Sequence, residues 1–208
     1  MRQMERILFP VDFSKPCEQT APVVAAWARQ LGAEVKLLHA REGGANGGNL
    51  LSFAAAAWDG LKVTGVEREG KAAEEIVSYA AMNGVSLIMM PTHGTTRFRQ
   101  LLLGSVTASV LHDAEVPVWT SAHAADLGGM GLPKRIVCAV DCGADTGRLV
   151  EAAQKWAGKL GAELRVLHSA PKPDARFESG LADKAHWLVK SNAREAYEKA
   201  LPGGPALE

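Results

Sequence analysis

The chain has 208 residues, with 23 Lys and Arg against 23 Asp and Glu, a formal net charge of +0, and a hydrophobic share of 47%. Such a balance excludes a broad basic surface for nucleic acid or anionic membrane, and no apolar run reaches the length of a transmembrane helix. Composition is that of a globular protein, the N-terminus MRQMERILFPVD lacks a signal-peptide layout, and a cytoplasmic location is expected. The three cysteines, Cys17, Cys138 and Cys142, lack zinc-like spacing.

Arg6 to Val11 is a short apolar run ended by Asp12 and Ser14, and reads as a buried strand. Glu18 to Leu31 carries Ala21, Val24, Ala25, Ala28 and Leu31 at helical spacing, with Gly32 as C-cap. Glu34 to His39 predicts a second strand, residues 42–49 a glycine-rich linkage, and Leu50 to Trp58 a short helix. Lys62 to Glu69 alternates as a strand with one exposed face. Gly70 to Asn83 is helical in spacing, and Leu87 to Met90 is a fourth strand. Pro91 to Thr107 follows as a glycine-bounded loop running into a helix over Val106–His112. Val116 to Thr120 closes the unit as a fifth strand. Continuous apolar strands alternating with helices predict a parallel sheet covered on both faces, with ligands at the carboxyl ends of the strands.

The chain then repeats itself. Asp12 and Asp141 lie 129 residues apart, as do Trp27 and Trp156, and Leu31 and Leu160. The same offset relates Gly32-Ala33-Glu34 to Gly161-Ala162-Glu163, and Leu38-His39 to Leu167-His168. So many ungapped identities predict a tandem duplication. The expected organisation is one domain over 1–122, a linker over 123–134 and a truncated second copy over 135–208. That copy carries a helical stretch from Leu181 to Leu201 and stops before any counterpart of the Pro91–Thr107 loop.

A strand, a glycine-bounded loop and a helix N-terminus form a recipe for holding phosphate, because the first helical amides have no internal partner. Gly94, nine residues, then Gly104-Ser105 resembles the phosphate loop of ATP-binding universal stress proteins. Their full pattern is glycine, two residues, glycine, nine residues, glycine, then serine or threonine. Pro91 stands where the first glycine belongs, and proline has no N–H to donate. The His93-Gly94 pair, the run from Leu101 to Val106, the FPVDFS opening and the LLHA strand end share the resemblance, which covers residues 4–122 well and 134–201 in part.

The resemblance implies a doubly wound five-stranded parallel α/β sheet of the adenine nucleotide α-hydrolase type. It also implies a bound ATP with Mg or Mn accompanying the phosphates. Asp12 would lie beside the adenine, with Pro10 and Val11 lining the base and Ala40 meeting it through its backbone. A helix N-cap is the other reading of Asp12. The phosphates would sit on the stretch Pro91, Thr92, His93, Gly94, Thr95, Thr96 and Arg97, and on Gly104, Ser105, Val106 and Thr107. Ser105 is a candidate N-cap or hydroxyl donor.

His39 and His168 recur at one place, but no serine, cysteine or carboxylate is placed by sequence to complete a triad. We therefore assign no catalytic residue and no metal-ligand set, and expect any ATP hydrolysis to be slow. The rivals are a scaffold of the same fold that binds no nucleotide, and an adenylating enzyme, for which reactive residues are not found. In the family the last strand pairs with its counterpart in another domain. A homodimer through Val116 to Thr120 is therefore expected, with neither nucleic acid nor membrane as partner.

Overall fold

Continuous apolar runs build the centre of the main sheet. β1 (Arg6–Pro10) and β4 (Leu87–Pro91) bury nearly every side chain, with Ile7, Leu8, Phe9, Ile88 and Met89 fully inside. Each such side chain stabilises the fold by roughly 1.5–3 kcal/mol. Strands buried on both faces are what a parallel sheet between two helical layers requires. The computed structural model describes residues 5–42, 48–92, 104–121, 132–169, 190–199 and 202–207, and divides into two compact units, Met1–Leu132 and Pro133–Glu208.

In the first unit, β2 (Glu34–Arg41), β3 (Val63–Glu69) and β5 (Val118–Ser121) complete a five-stranded sheet in the order β3-β2-β1-β4-β5. Every pairing is parallel. The chain starts in the middle, moves outward to β3 and resumes at β4 on the other side of β1. The β1–β4 seam is therefore the point where strand order reverses.

Helix α1 (Lys15–Leu31) starts earlier than its hydrophobic spacing predicts. Ser14 is its N-cap, accepting from the Cys17 amide at 3.3 Å, and Pro16 falls in the first turn, where its missing N–H removes no helical bond. Gly32 ends it in the left-handed region at φ 61°. The helix expected over Leu50–Trp58 is a turn followed by 3₁₀ helix at Ala55–Trp58 alone. α2 (Ala72–Met82) and α3 (Ser105–Asp113) cover the other face, packing Ile76, Tyr79, Ala80 and Val110 on Leu8, Leu38 and Ile88. The fifth strand begins at Val118, later than expected, because Pro117 gives its carbonyl to the Ile88 amide but has no donor to return.

At the amino-terminal edge of this sheet Glu34 is 3% exposed and carries ion pairs to Arg6, to Lys62 at 2.9 Å and to Lys36 at 3.6 Å. Burial pushes its carboxyl pKa upward. The hydrogen bonds from Lys62 and Arg6, with the charge of Lys36, outweigh that and hold it at about 2. Arg6 also donates to the Asn83 carbonyl, so the cluster ties β1, β2 and the end of α2 together.

The second unit contains β6 (Arg135–Val140), α4 (Thr146–Leu160), β7 (Glu163–His168) and a helix at 190–199, of which the predicted 181–201 stretch otherwise lies outside the described residues. Its local geometry repeats that of the first unit 129 residues on. Arg6 pairs in register with Glu34, and Arg135 with Glu163. Phe13 and Cys142 both hold positive φ, at 58° and 60°. Asp12 accepts from the Ser14 amide at 2.9 Å, and Asp141 from the Gly143 amide at 2.8 Å. One difference is large. Leu8 and Leu38 are buried under α2 and α3, whereas their counterparts Val137 and Leu167 are 55% and 43% exposed.

Candidate functional site

The β1–β4 seam opens because of two prolines. β1 pairs with β2 along its whole length but with β4 only at Ile7–Leu87 and Leu8–Ile88. The Val11 amide donates to Leu38, so by alternation residue 10 presents its nitrogen to the β4 side. The Ile88 and Thr92 amides donate toward β5, so residue 91 presents its nitrogen to the β1 side. The next two donors along the seam would thus come from positions 10 and 91, and both are proline. The ladder stops there, and the strands leave a crevice. The Pro10 carbonyl instead accepts from Cys17 Sγ at 3.4 Å. Burial, reinforced by the charge of Asp12, pushes the Cys17 thiol up to about 12, which makes it a packing group and no nucleophile.

Above the crevice lies a cavity of about 280 Å³. Its floor is Pro10, Val11 and Asp12 from the end of β1, Leu38, His39 and Ala40 from β2, and Met90 and Pro91 from β4. Ala72 and Ile76 of α2 form one wall, and Gly104, Ser105, Val106 and Thr107 the other. The tertiary fold therefore gathers nine sequence-predicted residues from four separate segments: Pro10, Val11, Asp12, Ala40, Pro91, Gly104, Ser105, Val106 and Thr107. His93, Gly94, Thr95, Thr96 and Arg97 lie outside the described residues.

Three helices of the first unit begin at this edge, and their N-termini differ. That of α1 is closed by Ser14, which Asp12 in turn holds through its amide. That of α2 is met by Glu42, whose Oε1 accepts from the Ala72 amide at 3.3 Å. α3 has Gly104 as N-cap, at φ −60° and ψ 146°, and no side-chain cap. Ser105, expected as a possible N-cap, is instead the first helical residue, and it is exposed. The amides of Ser105, Val106 and Thr107 have no intrahelical acceptor, and the positive end of the helix dipole faces the cavity.

Other predicted residues take different roles. Asp12 does not cap α1 itself; its carboxylate braces the turn that positions Ser14. Thr92 does not line the cavity: its amide and its hydroxyl both donate to the Ser121 carbonyl, each at 3.0 Å. Thr107 is buried, and its hydroxyl lies 3.2 Å from the Pro91 carbonyl and 3.4 Å from that of Thr92. It pins α3 to the end of β4, and only its amide is left for a ligand.

The His39 Nδ1 donates to the Val11 carbonyl at 2.7 Å, and its ring packs edge-on against Phe13 at 4.9 Å. Its imidazole thus braces the ends of β1 and β2. Leu38, Met90, Ala72 and Ile76 were not legible as lining residues. The signal available was the helical spacing of Ile76, which by itself says core.

The model of the universal stress protein family matches residues 48–121. Universal stress protein Slr1230 of Synechocystis sp. is 45% identical over 51 residues, which are 24% of this chain and 18% of that protein. Universal stress protein MJ0577 of Methanocaldococcus jannaschii is 42% identical over 59 residues, 28% of this chain and 36% of that protein.

Over residues 48–121 the chain is similar to the universal stress protein family.

Its matched stretches span well under half of either relative. A solved universal stress protein structure from Archaeoglobus fulgidus is 22% identical, with a TM-score of 0.62 over 91% of this chain and 74% of that one, a likeness of fold. As in that family, the sheet is parallel and five-stranded with helices on both faces. Among the described residues no helix is long and apolar enough to cross a membrane.

Proposed function

We propose that this chain binds an adenine nucleotide, ATP by the family resemblance, and acts as a non-catalytic responder in the cytoplasm. The observation that carries this reading is the cavity at the β1–β4 reversal, walled by the N-terminus of α3, whose N-cap Gly104 makes no side-chain cap bond. The base would lie over Pro10, Val11 and Ala40, beside Asp12, and the phosphates at Gly104 to Thr107. A divalent ion, Mg or Mn, would accompany the phosphates, because their charge needs neutralising. The shared local geometry 129 residues apart supports a tandem duplication. Gentle purification followed by mass identification of any retained nucleotide tests the reading, with isothermal titration of ATP as the second measurement. Absence of both a retained nucleotide and any heat of binding would overturn it.

One set of observations favours a second reading, a scaffold that has given up nucleotide. Pro91 has no donor, and Thr92 and the Thr107 hydroxyl are engaged elsewhere. The same titration separates the two, since a scaffold gives no shift in melting temperature with nucleotide.

A further inference from the structure

We propose that a groove between the carboxyl-terminal ends of α2 and α3 docks a partner protein through one lysine or arginine side chain; this does not depend on the nucleotide reading. The groove has a volume of about 350 Å³ and lies at the other end of the two helices whose first turns wall the site cavity. Its wall is apolar: Ala80 and Val85 are buried, and Val77 and Val116 are half-buried against the core. Its mouth is acidic, with the exposed carboxylates of Asp113 and Glu115. A long cationic side chain has the same two parts, an apolar stem and a charged head.

The two acids break a local rule. Asp113 is the last residue of α3 and Glu115 follows its C-cap Ala114, so both charges sit at the negative end of the helix dipole, where basic residues are favoured. The basic residue of that turn is His112, with its Nδ1 2.6 Å from Asp113, one imidazole against two carboxylates. The charged residues of α2, Glu74 and Glu75, lie in its first turn, at the far end, paired to Lys71 and Arg68. On the sheet side Arg6 stands beside Gly84, but its guanidinium is bound to Glu34 and to the Asn83 carbonyl. An incoming ammonium or guanidinium would therefore relieve a repulsion that the fold leaves in place. Departures of this kind are expected at functional sites, and cationic anchors seated in pockets carry much of the energy of protein interfaces.

The test uses a capped peptide, ALKLA, titrated at millimolar concentration into the isotope-labelled full chain and followed by NMR. The same peptide with norleucine or glutamate in place of lysine serves as comparison. The expected result is a shift of the Gly84, Ala114 and Val116 amides, with the lysine peptide tighter than the norleucine one by about fivefold or more and the glutamate one not binding. Equal binding of the lysine and norleucine peptides, shifts confined to other parts of the chain, or failure of the lysine peptide to bind would each overturn the proposal. Asp113→Asn with Glu115→Gln adds a second arm. Both side chains are exposed, and removing their charge from the end of α3 takes away a repulsion. The variant is expected to melt no lower than the parent and to bind the lysine and norleucine peptides equally. A lower melting temperature would assign the carboxylates to holding the fold, and a retained preference for lysine would place the cation elsewhere; either would overturn the reading.

Discussion

Pro10 and Pro91 turn their nitrogens to the β1–β4 seam from opposite strands, and neither has an amide hydrogen to give. Their consequence is geometric first: the ladder ends at Leu8–Ile88, and a cavity opens beyond it. Their consequence for a ligand is chemical, since the floor of that cavity has no donor at either position.

Restoring one of those donors should matter. Pro91→Gly returns an N–H on the crevice side and is expected to tighten ATP binding by about 1 kcal/mol. Glycine's greater freedom when unfolded should lower the melting temperature at the same time. Titration and calorimetry read the two effects separately; equal or weaker ATP binding would mean that the proline pre-organises the floor.

The open N-terminus of α3 can be blocked without breaking the fold. Gly104 sits at φ −60°, which any L residue adopts, so Gly104→Val with Ser105→Ala should fold normally. The valine side chain stands where a phosphate would approach, and the lost hydroxyl removes a donor. Nucleotide binding is expected to fall below detection by titration while the circular dichroism spectrum is unchanged.

Glu34 predicts a pH dependence. Its carboxyl pKa is lowered in the folded protein from 4.5 to about 2. The stability it contributes is therefore fully present above the unfolded value, near pH 4.5, and is lost as pH falls toward 2. The contribution is on the order of 2–3 kcal/mol. Glu34→Gln should lose about that much in urea unfolding at pH 7 and show a flatter decline between pH 4.5 and 2 than the parent protein.

The fifth strand predicts an assembly. Among the described residues β5 is hydrogen-bonded to β4 alone. Alternation turns the amides of Val118 and Thr120 outward and the nitrogen of Pro117 inward, toward β4. A homodimer by antiparallel pairing of this edge is expected. The Val118 side chain packs on the core, so a charge there would confuse interface with stability. Thr120→Pro removes an outward donor only, and should yield a folded monomer by light scattering where the parent is a dimer.

The sequence by itself determined the order of elements, the parallel sheet and the resemblance to the universal stress proteins, because local periodicity and motif spacing encode them. Short apolar runs bounded by turn residues, such as Ile7–Phe9 before Asp12, read as strands buried on both faces, and Gly32 and Gly161 end their helices. It also named the segments of the site, since Asp12, Ala40 and Gly104-Ser105 each stand at a strand end or a helix start. Which of those residues have free donors was decided only by the tertiary structure. Thr92 looked like a phosphate ligand until β5 took both its hydrogens at Ser121, and Thr107 until α3 was seen pinned to β4. Pro91 read as a lone departure from the glycine pattern, and Pro10 as a residue lining the base, until the register turned both toward one seam. The reason is physical: a donor's availability depends on its nearest acceptor, and here every such acceptor lies on a strand or helix distant in the chain.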